Sequence, residues 1–214
     1  MKLEHWQVVF TQYRQAQSVL DGWLPQAAPG SVPAAAMGLL GREGLRRLHD
    51  ELLEVIERLR AGLGAHARDE EVQDALRPFT YLVDERVLLR LADAEQPLWP
   101  LLQYRLFGED GGGEAFYTLA DQRLDQPGSP ALLFEMLHFC ITAGFGGRYL
   151  GHTAKLREYQ ERLSARIVTP PPPPALAASG ETTGPLLYAF PARYYAISAA
   201  SVLGLQCLLW WVTR

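Results

Sequence analysis

Long basic runs, clustered cysteines, nucleophile or metal signatures and strand-like alternation are all scarce or missing in this sequence. Without a basic stripe, and with a formal net charge of −4, the electrostatic footprint that nucleic-acid binding requires is lacking. The only two cysteines, Cys140 and Cys207, lie far apart in apolar surroundings. They read as small hydrophobes in a reducing compartment, not as a disulfide. No G-x-S-x-G, H-E-x-x-H or phosphate-loop pattern occurs, because "GEDGGGEAF" (108–116) lacks the Lys-Ser/Thr that would meet a phosphate. The five histidines show no ligand spacing with each other or with the cysteines. No metal or cofactor is therefore expected. The first fifteen residues carry Gln7, Gln12 and Arg14 where a signal peptide would need an unbroken apolar core, so the N-terminal part is expected to stay in the cytosol.

What is present is helical periodicity. In 43–63, Leu45, Leu48, Leu52, Val55, Ile56, Leu59 and Leu63 repeat at the three-four spacing of one helix face, with charges opposite. Trp6, Val9, Phe10, Tyr13 and Leu20 make a weaker stripe on a first helix ending near Gly22 and Pro25. Further helices are expected over 70–91 with a bend near Pro78, and over 98–107, 114–124, 130–143 and 152–167. The apolar run in 131–145 is about 15 residues long and contains Glu135 and His138, which suits a core helix better than a membrane span.

The C-terminal part differs in kind. Five consecutive prolines open the stretch 169–185 and favour an extended spacer without internal hydrogen bonds. Residues 194–212, "YYAISAASVLGLQCLLWWV", hold no formal charge over 19 positions. A helix of that length covers roughly 28 Å, close to the ~30 Å hydrocarbon core of a bilayer. Tyrosines open it and Trp210 and Trp211 close it, as interfacial aromatics do. The expected organisation is a helical domain over 1–168, a Pro-rich linker over 169–193, a transmembrane helix over 194–212 and a two-residue periplasmic tail. Ala196, Ala200 and Gly204 recur every four residues, a small-residue stripe that would let a second span approach and self-associate.

One local feature invites chemistry. In "FTYLVDERVLLRL" (79–91) the acids Asp84 and Glu85 are adjacent within a segment that otherwise reads as buried helix. Successive helical residues point about 100° apart, so the two cannot share one proton site as a catalytic dyad does. An ion pair with a nearby arginine (Arg86, Arg90 or Arg148) and a charged docking surface both remain open.

The ordered blocks "LVDE" (82–85), Trp99 with "PLLQ" (100–103), "GGEAFY" (112–117) and "LLFEMLHFCITAGFGGRY" (132–149) resemble the DotU/TssL family of bacterial type VI secretion systems. The family pattern runs F-V-D-E, then G-G-E-x-F-F, then L-E-x-x-Y-x-C-L-x-x-G-F-E-G-R-Y. This sequence departs from it at Gly146, where the family usually has Glu, at His138-Phe139 and at Ile141. The resemblance implies an all-α cytoplasmic hook of two packed three-helix bundles on one C-terminal membrane helix, in the bacterial inner membrane. It implies a non-enzymatic subunit that binds no cofactor and joins an IcmF/TssM-like inner-membrane protein. A TssJ-like lipoprotein would belong to the same complex, and the baseplate proteins TssK and TssE would dock on the cytosolic side. A DotU-like stabiliser of an IcmF-like protein in a type IVB apparatus is the alternative of the same architecture; a membrane-tethered enzyme using Asp84 and Glu85 is the alternative of another class. By the same resemblance Asp84, Glu85 and Arg148 belong to a partner-contact groove. Trp99, Gly112, Gly113, Glu114, Phe116, Glu135, Cys140, Gly144, Phe145, Gly147 and Tyr149 are structural motif residues.

Overall fold

The computed structural model describes residues 3–25, 39–126 and 128–167. Among these residues the chain forms seven α-helices and no strand: α1 (Leu3–Trp23), α2 (Gly41–Gly64), α3 (Asp69–Leu88), α4 (Leu102–Phe107), α5 (Gly112–Asp125), α6 (Ala131–Thr142) and α7 (Thr153–Ser164). Two short 3₁₀ turns, Gln96–Leu98 and Gly147–Tyr149, precede α4 and α7. The Pro-rich linker, the stretch 194–212 and with it Ala196, Ala200 and Gly204 lie outside the described residues. Among the described residues no helix is long and apolar enough to cross a membrane.

The sequence periodicity becomes the core. All seven apolar positions of the α2 stripe are buried, joined by His49. On α1 the buried line is Val9, Ala16 and Leu20. Phe10, expected on that stripe, is instead 54% exposed, because a residue directly after Val9 is turned about 100° from it. The 12-residue α6 buries Leu132 through Leu137 together with Cys140 and Ile141, as a core helix does.

α1 packs on α2, α6 on α7, and α3 touches α2, α4, α5 and α6. α3 therefore packs on four of the other six helices. Pro78 lies inside it, where the missing N–H removes one hydrogen bond without ending the helix.

The helix expected over 98–107 is broken. Pro100 disfavours the helical conformation at Trp99, which sits at ψ 119°, and Leu101 is also extended at ψ 126°. α4 therefore begins only at Leu102. That late start leaves its first amides in need of an acceptor from elsewhere.

Candidate functional site

The acceptor is Asp84. Its Oδ1 receives Trp99 Nε1–H at 2.8 Å and the Leu102 amide at 3.0 Å, and its Oδ2 receives the Gln103 amide at 2.9 Å. Leu102 and Gln103 are the first two residues of α4, and the residue preceding them, Leu101, offers no capping side chain. A carboxylate on α3 thus does for α4 what a local Asp or Ser N-cap does elsewhere. Asp84 is 2% exposed. Burial lifts its carboxyl above the ordinary 3.8, opposed by the three donors and the neighbouring His49.

Glu85, turned to another face of α3, performs the same service at a second place. Its two oxygens accept the amides of Gly146 at 2.8 Å and Gly147 at 2.6 Å. Gly147 opens the 3₁₀ turn that leads toward α7. The adjacent acids therefore cap two different segments, and their 100° separation is what lets them do so.

None of the three arginines considered as partners for these acids pairs with them. Arg86 donates to the Ala143 carbonyl at the end of α6, a favourable place for a cation on the helix dipole. Arg90 reaches Asp21 at 2.7 Å and Gln17 at 3.0 Å on α1. Arg148 pairs with Glu114 at 3.0 Å and, at 3.7 Å, with Asp121. Its guanidinium also lies over the rings of Tyr149 (4.9 Å) and Tyr117 (5.4 Å).

Glycine sets the spacing here. Gly147 has φ +50°, and a Cβ on it would stand 2.8 Å from the Gly113 carbonyl and 3.0 Å from the Phe145 ring. This close approach brings the start of α5 against the 3₁₀ turn. Tyr117 fixes the same junction by donating its hydroxyl to the Gly146 carbonyl at 2.9 Å. At Gly146, where the family usually has Glu, a Cβ would meet Leu150 Cα at 2.9 Å. The turn has settled into space that a side chain would need.

The remaining motif residues lie on α5, on α6 and in the turn after α6. Phe116 and Phe145 are buried with rings 4.4 Å apart. Glu135 is 2% exposed on α6. Cys140 is buried, and burial pushes its thiol well above its ordinary value, leaving it protonated and unreactive. Gly144 has φ +95° and lies against the Arg86 guanidinium.

Together α3, the start of α4, the loop before α5 with the first turn of α5, and Arg148 enclose a groove of about 370 Å³. Asp84, Glu85, Gly112, Gly113, Glu114, Phe145 and Arg148, all singled out from sequence, line it with Tyr81, Leu88, Leu101, Gln103, Asp110 and Gly111. Trp99 sits behind it on Asp84. Several participants had no sequence signal of their own. Glu109 holds the loop to α3 through Arg77 and Tyr81. Asp121 collects Tyr159 at 2.8 Å and Arg162 at 3.2 Å, tying α5 to α7. Burial and that bond push the Tyr159 hydroxyl up to about 12. Gln103 and Tyr117 fall inside quoted motif blocks without an assigned role. The absence of any capping residue before α4 was the clue that could have led to Asp84.

Comparison with known proteins bears on the fold and the family. No curated protein matches the chain. Among solved structures, DotU from Francisella novicida is similar with a TM-score of 0.56 at 16% identity, over 77% of this chain and 99% of the other. SciP/TssL of the type VI system of enteroaggregative Escherichia coli 042 gives 0.52 at 19% identity, over 82% and 99%. At those identities the likeness is one of fold. The family described as type VI secretion system protein DotU matches residues 33–214. With most of its length so matched, the chain belongs to the DotU family of type VI secretion system proteins.

Proposed function

We propose that this protein is a non-catalytic structural subunit of the type VI membrane complex, its helical domain on the cytosolic side of the inner membrane and residues 194–212 its single span. The family match over 33–214 carries this reading. The fold agrees with it, because the two acids an enzyme would need are spent on internal amides. In this reading the described helices form the hook of two bundles, with α3 between them. An IcmF/TssM-like protein and a TssJ-like lipoprotein complete the membrane assembly, and TssK- and TssE-like baseplate proteins dock on the cytosolic groove. The small-residue positions Ala196, Ala200 and Gly204 would serve span association.

The test is to tag the full chain, solubilise membranes in mild detergent and identify what co-purifies. Recovery of a large inner-membrane partner with baseplate proteins is expected. A chain found in the soluble fraction with no such companions refutes the proposal.

A further inference from the structure

We infer that the cleft between Trp99 and the outer side of α4 is a second docking face, which receives an apolar side chain flanked by a carboxylate from a partner protein. This rests on the docking reading above and adds to it a surface other than the groove, with the chemistry of what that surface takes.

The start of α4 builds the cleft. Trp99, Pro100, Leu101, Tyr104 and Arg105 line it together with His49 of α2, around a volume of about 400 Å³. It shares only Leu101 with the groove. Trp99 is held by its bond to Asp84, and the His49 ring meets it edge-on with centroids 5.8 Å apart. Those two rings are buried walls. α4 itself packs chiefly on α3 and buries Leu102 and Gln103. Tyr104 and Arg105, the next two residues, stay open to solvent, Tyr104 at 65%. So short a helix adds little to the core, yet a buried carboxylate on α3 holds its first two amides. That fixing presents Tyr104 and Arg105 on a rigid ledge, which lowers the ordering cost of binding.

Composition marks the cleft as a surface for another protein. Trp, Tyr and Arg are the residue types that dominate interface energetics, and all three stand here. Leu98, next to Trp99 in the chain, adds a 46% exposed apolar side chain to the same segment. A volume of about 400 Å³ is near the lower end of ligand pockets, which suits one leucine, methionine or phenylalanine.

Charge decides what accompanies that anchor. Among the described residues the Arg105 guanidinium has no ion pair and no hydrogen bond, and no carboxylate lines the cleft. Asp50, beside His49, meets the His49 Nδ1 at 3.4 Å and lies outside the lining. A partner covering the cleft strips water from Arg105, and a dehydrated charge is costly unless an opposite charge meets it. A carboxylate next to the anchor can do so with two parallel hydrogen bonds. A basic segment would be repelled.

The experiment makes Tyr104→p-benzoylphenylalanine in the full chain in its own membranes, cross-links it by light, and sequences the captured peptide by mass spectrometry. The expected adduct is with a different protein, through a segment that holds a leucine, methionine or phenylalanine beside an Asp or Glu. Arg105→Glu should lower its yield about tenfold, while Arg105→Lys, which keeps the cation in the last turn of α4, should retain it. Changing the captured acid to Arg should restore the adduct of Arg105→Glu, a rescue that a misfolded variant could not show. Absence of an adduct, capture only of lipid or of a second copy, a captured segment without an acid, a yield indifferent to Arg105→Glu, or no rescue each overturns the inference. If the wild-type chain still co-isolates membrane and baseplate proteins in that event, the docking reading stands without this face. If it recovers no partners, the docking reading fails too.

Discussion

Replacing Asp84 tests whether a carboxylate on α3 is what starts α4. In Asp84→Asn the remaining oxygen can keep Trp99 Nε1 and the Leu102 amide, now 2.8 and 3.0 Å away. The new NH₂ group would face the Gln103 amide, donor against donor, where a 2.9 Å bond stood. One lost bond with a buried donor left unmatched costs about 1–3 kcal/mol. Asp84→Ala strands all three donors and should cost roughly 3–5 kcal/mol, a large part of the ~5–15 kcal/mol a folded domain commands. For a chain of this size each kcal/mol lowers the melting temperature by about 2–4 °C, so Asn and Ala should separate clearly in thermal unfolding of the full chain in detergent. Trp99→Phe removes one donor, and in a double-mutant cycle with Asp84→Ala it should recover about 1 kcal/mol. Equal melting of wild type, Asn and Ala, or a cycle that closes additively, refutes the capping account.

Four further outcomes can be checked on single substitutions. Glu85→Gln puts an NH₂ against Gly146 or Gly147 and should cost about 1–3 kcal/mol, read as faster hydrogen exchange at those two amides with α1 and α2 unaffected. Gly147→Ala meets both a left-handed φ of +50° and the Gly113 carbonyl at 2.8 Å, so a loss of about 2–4 kcal/mol is expected in denaturant unfolding. Gly113→Ala, whose nearest neighbour would be Gly147 Cα at 3.4 Å, should change stability by less than about 1 kcal/mol. Burial holds His138 below its ordinary 6.5. The unfolded chain therefore takes up the proton first, and this contribution to stability is complete above that value and lost as pH falls through it. His138→Gln should flatten the slope of stability against pH in that window, and an unaltered slope would show that the ring does not titrate differently on folding.

Regular elements were legible because their signal is local. The α2 stripe is complete in sequence and complete in the core, since one helix face decides its burial. Phe10 misled because one extra aromatic beside a true stripe position looks periodic in a short window, whereas its 54% exposure follows from a single 100° step. The broken helix at 98–107 carried its own warning in Pro100. The site was legible only as a set of residues. That Asp84, Glu85 and Arg148 belong to one groove was an expectation from the family resemblance; Gly112 and Glu114, expected only as structural motif residues, line the same groove. What each acid binds depends on N–H donors 15 to 62 positions away, and no spacing rule encodes those pairings. Asp121 and Glu109 stayed silent for the same reason: each is an ordinary acid whose importance arises from what tertiary packing brings to it.

Burial also changes how a contact role for the acidic pair can be tested. A double lysine substitution at Asp84 and Glu85 would place two ammonium groups against five N–H donors. The starts of α4 and of the 3₁₀ turn would be lost whether or not a partner ever touches either side chain. Loss of baseplate recruitment in such a variant would therefore report a collapsed groove as readily as a missing contact. Asp110 escapes this ambiguity: its carboxylate is exposed and uncommitted, on a loop secured separately by Glu109. Glu114, paired only across the surface with Arg148, is the next position of the same kind. Surface ion pairs contribute about 0–1 kcal/mol, so neutralising either rim acid should leave the fold standing. Recruitment that survives both changes would confine the acidic pair to its capping duty and remove charge from the account of docking.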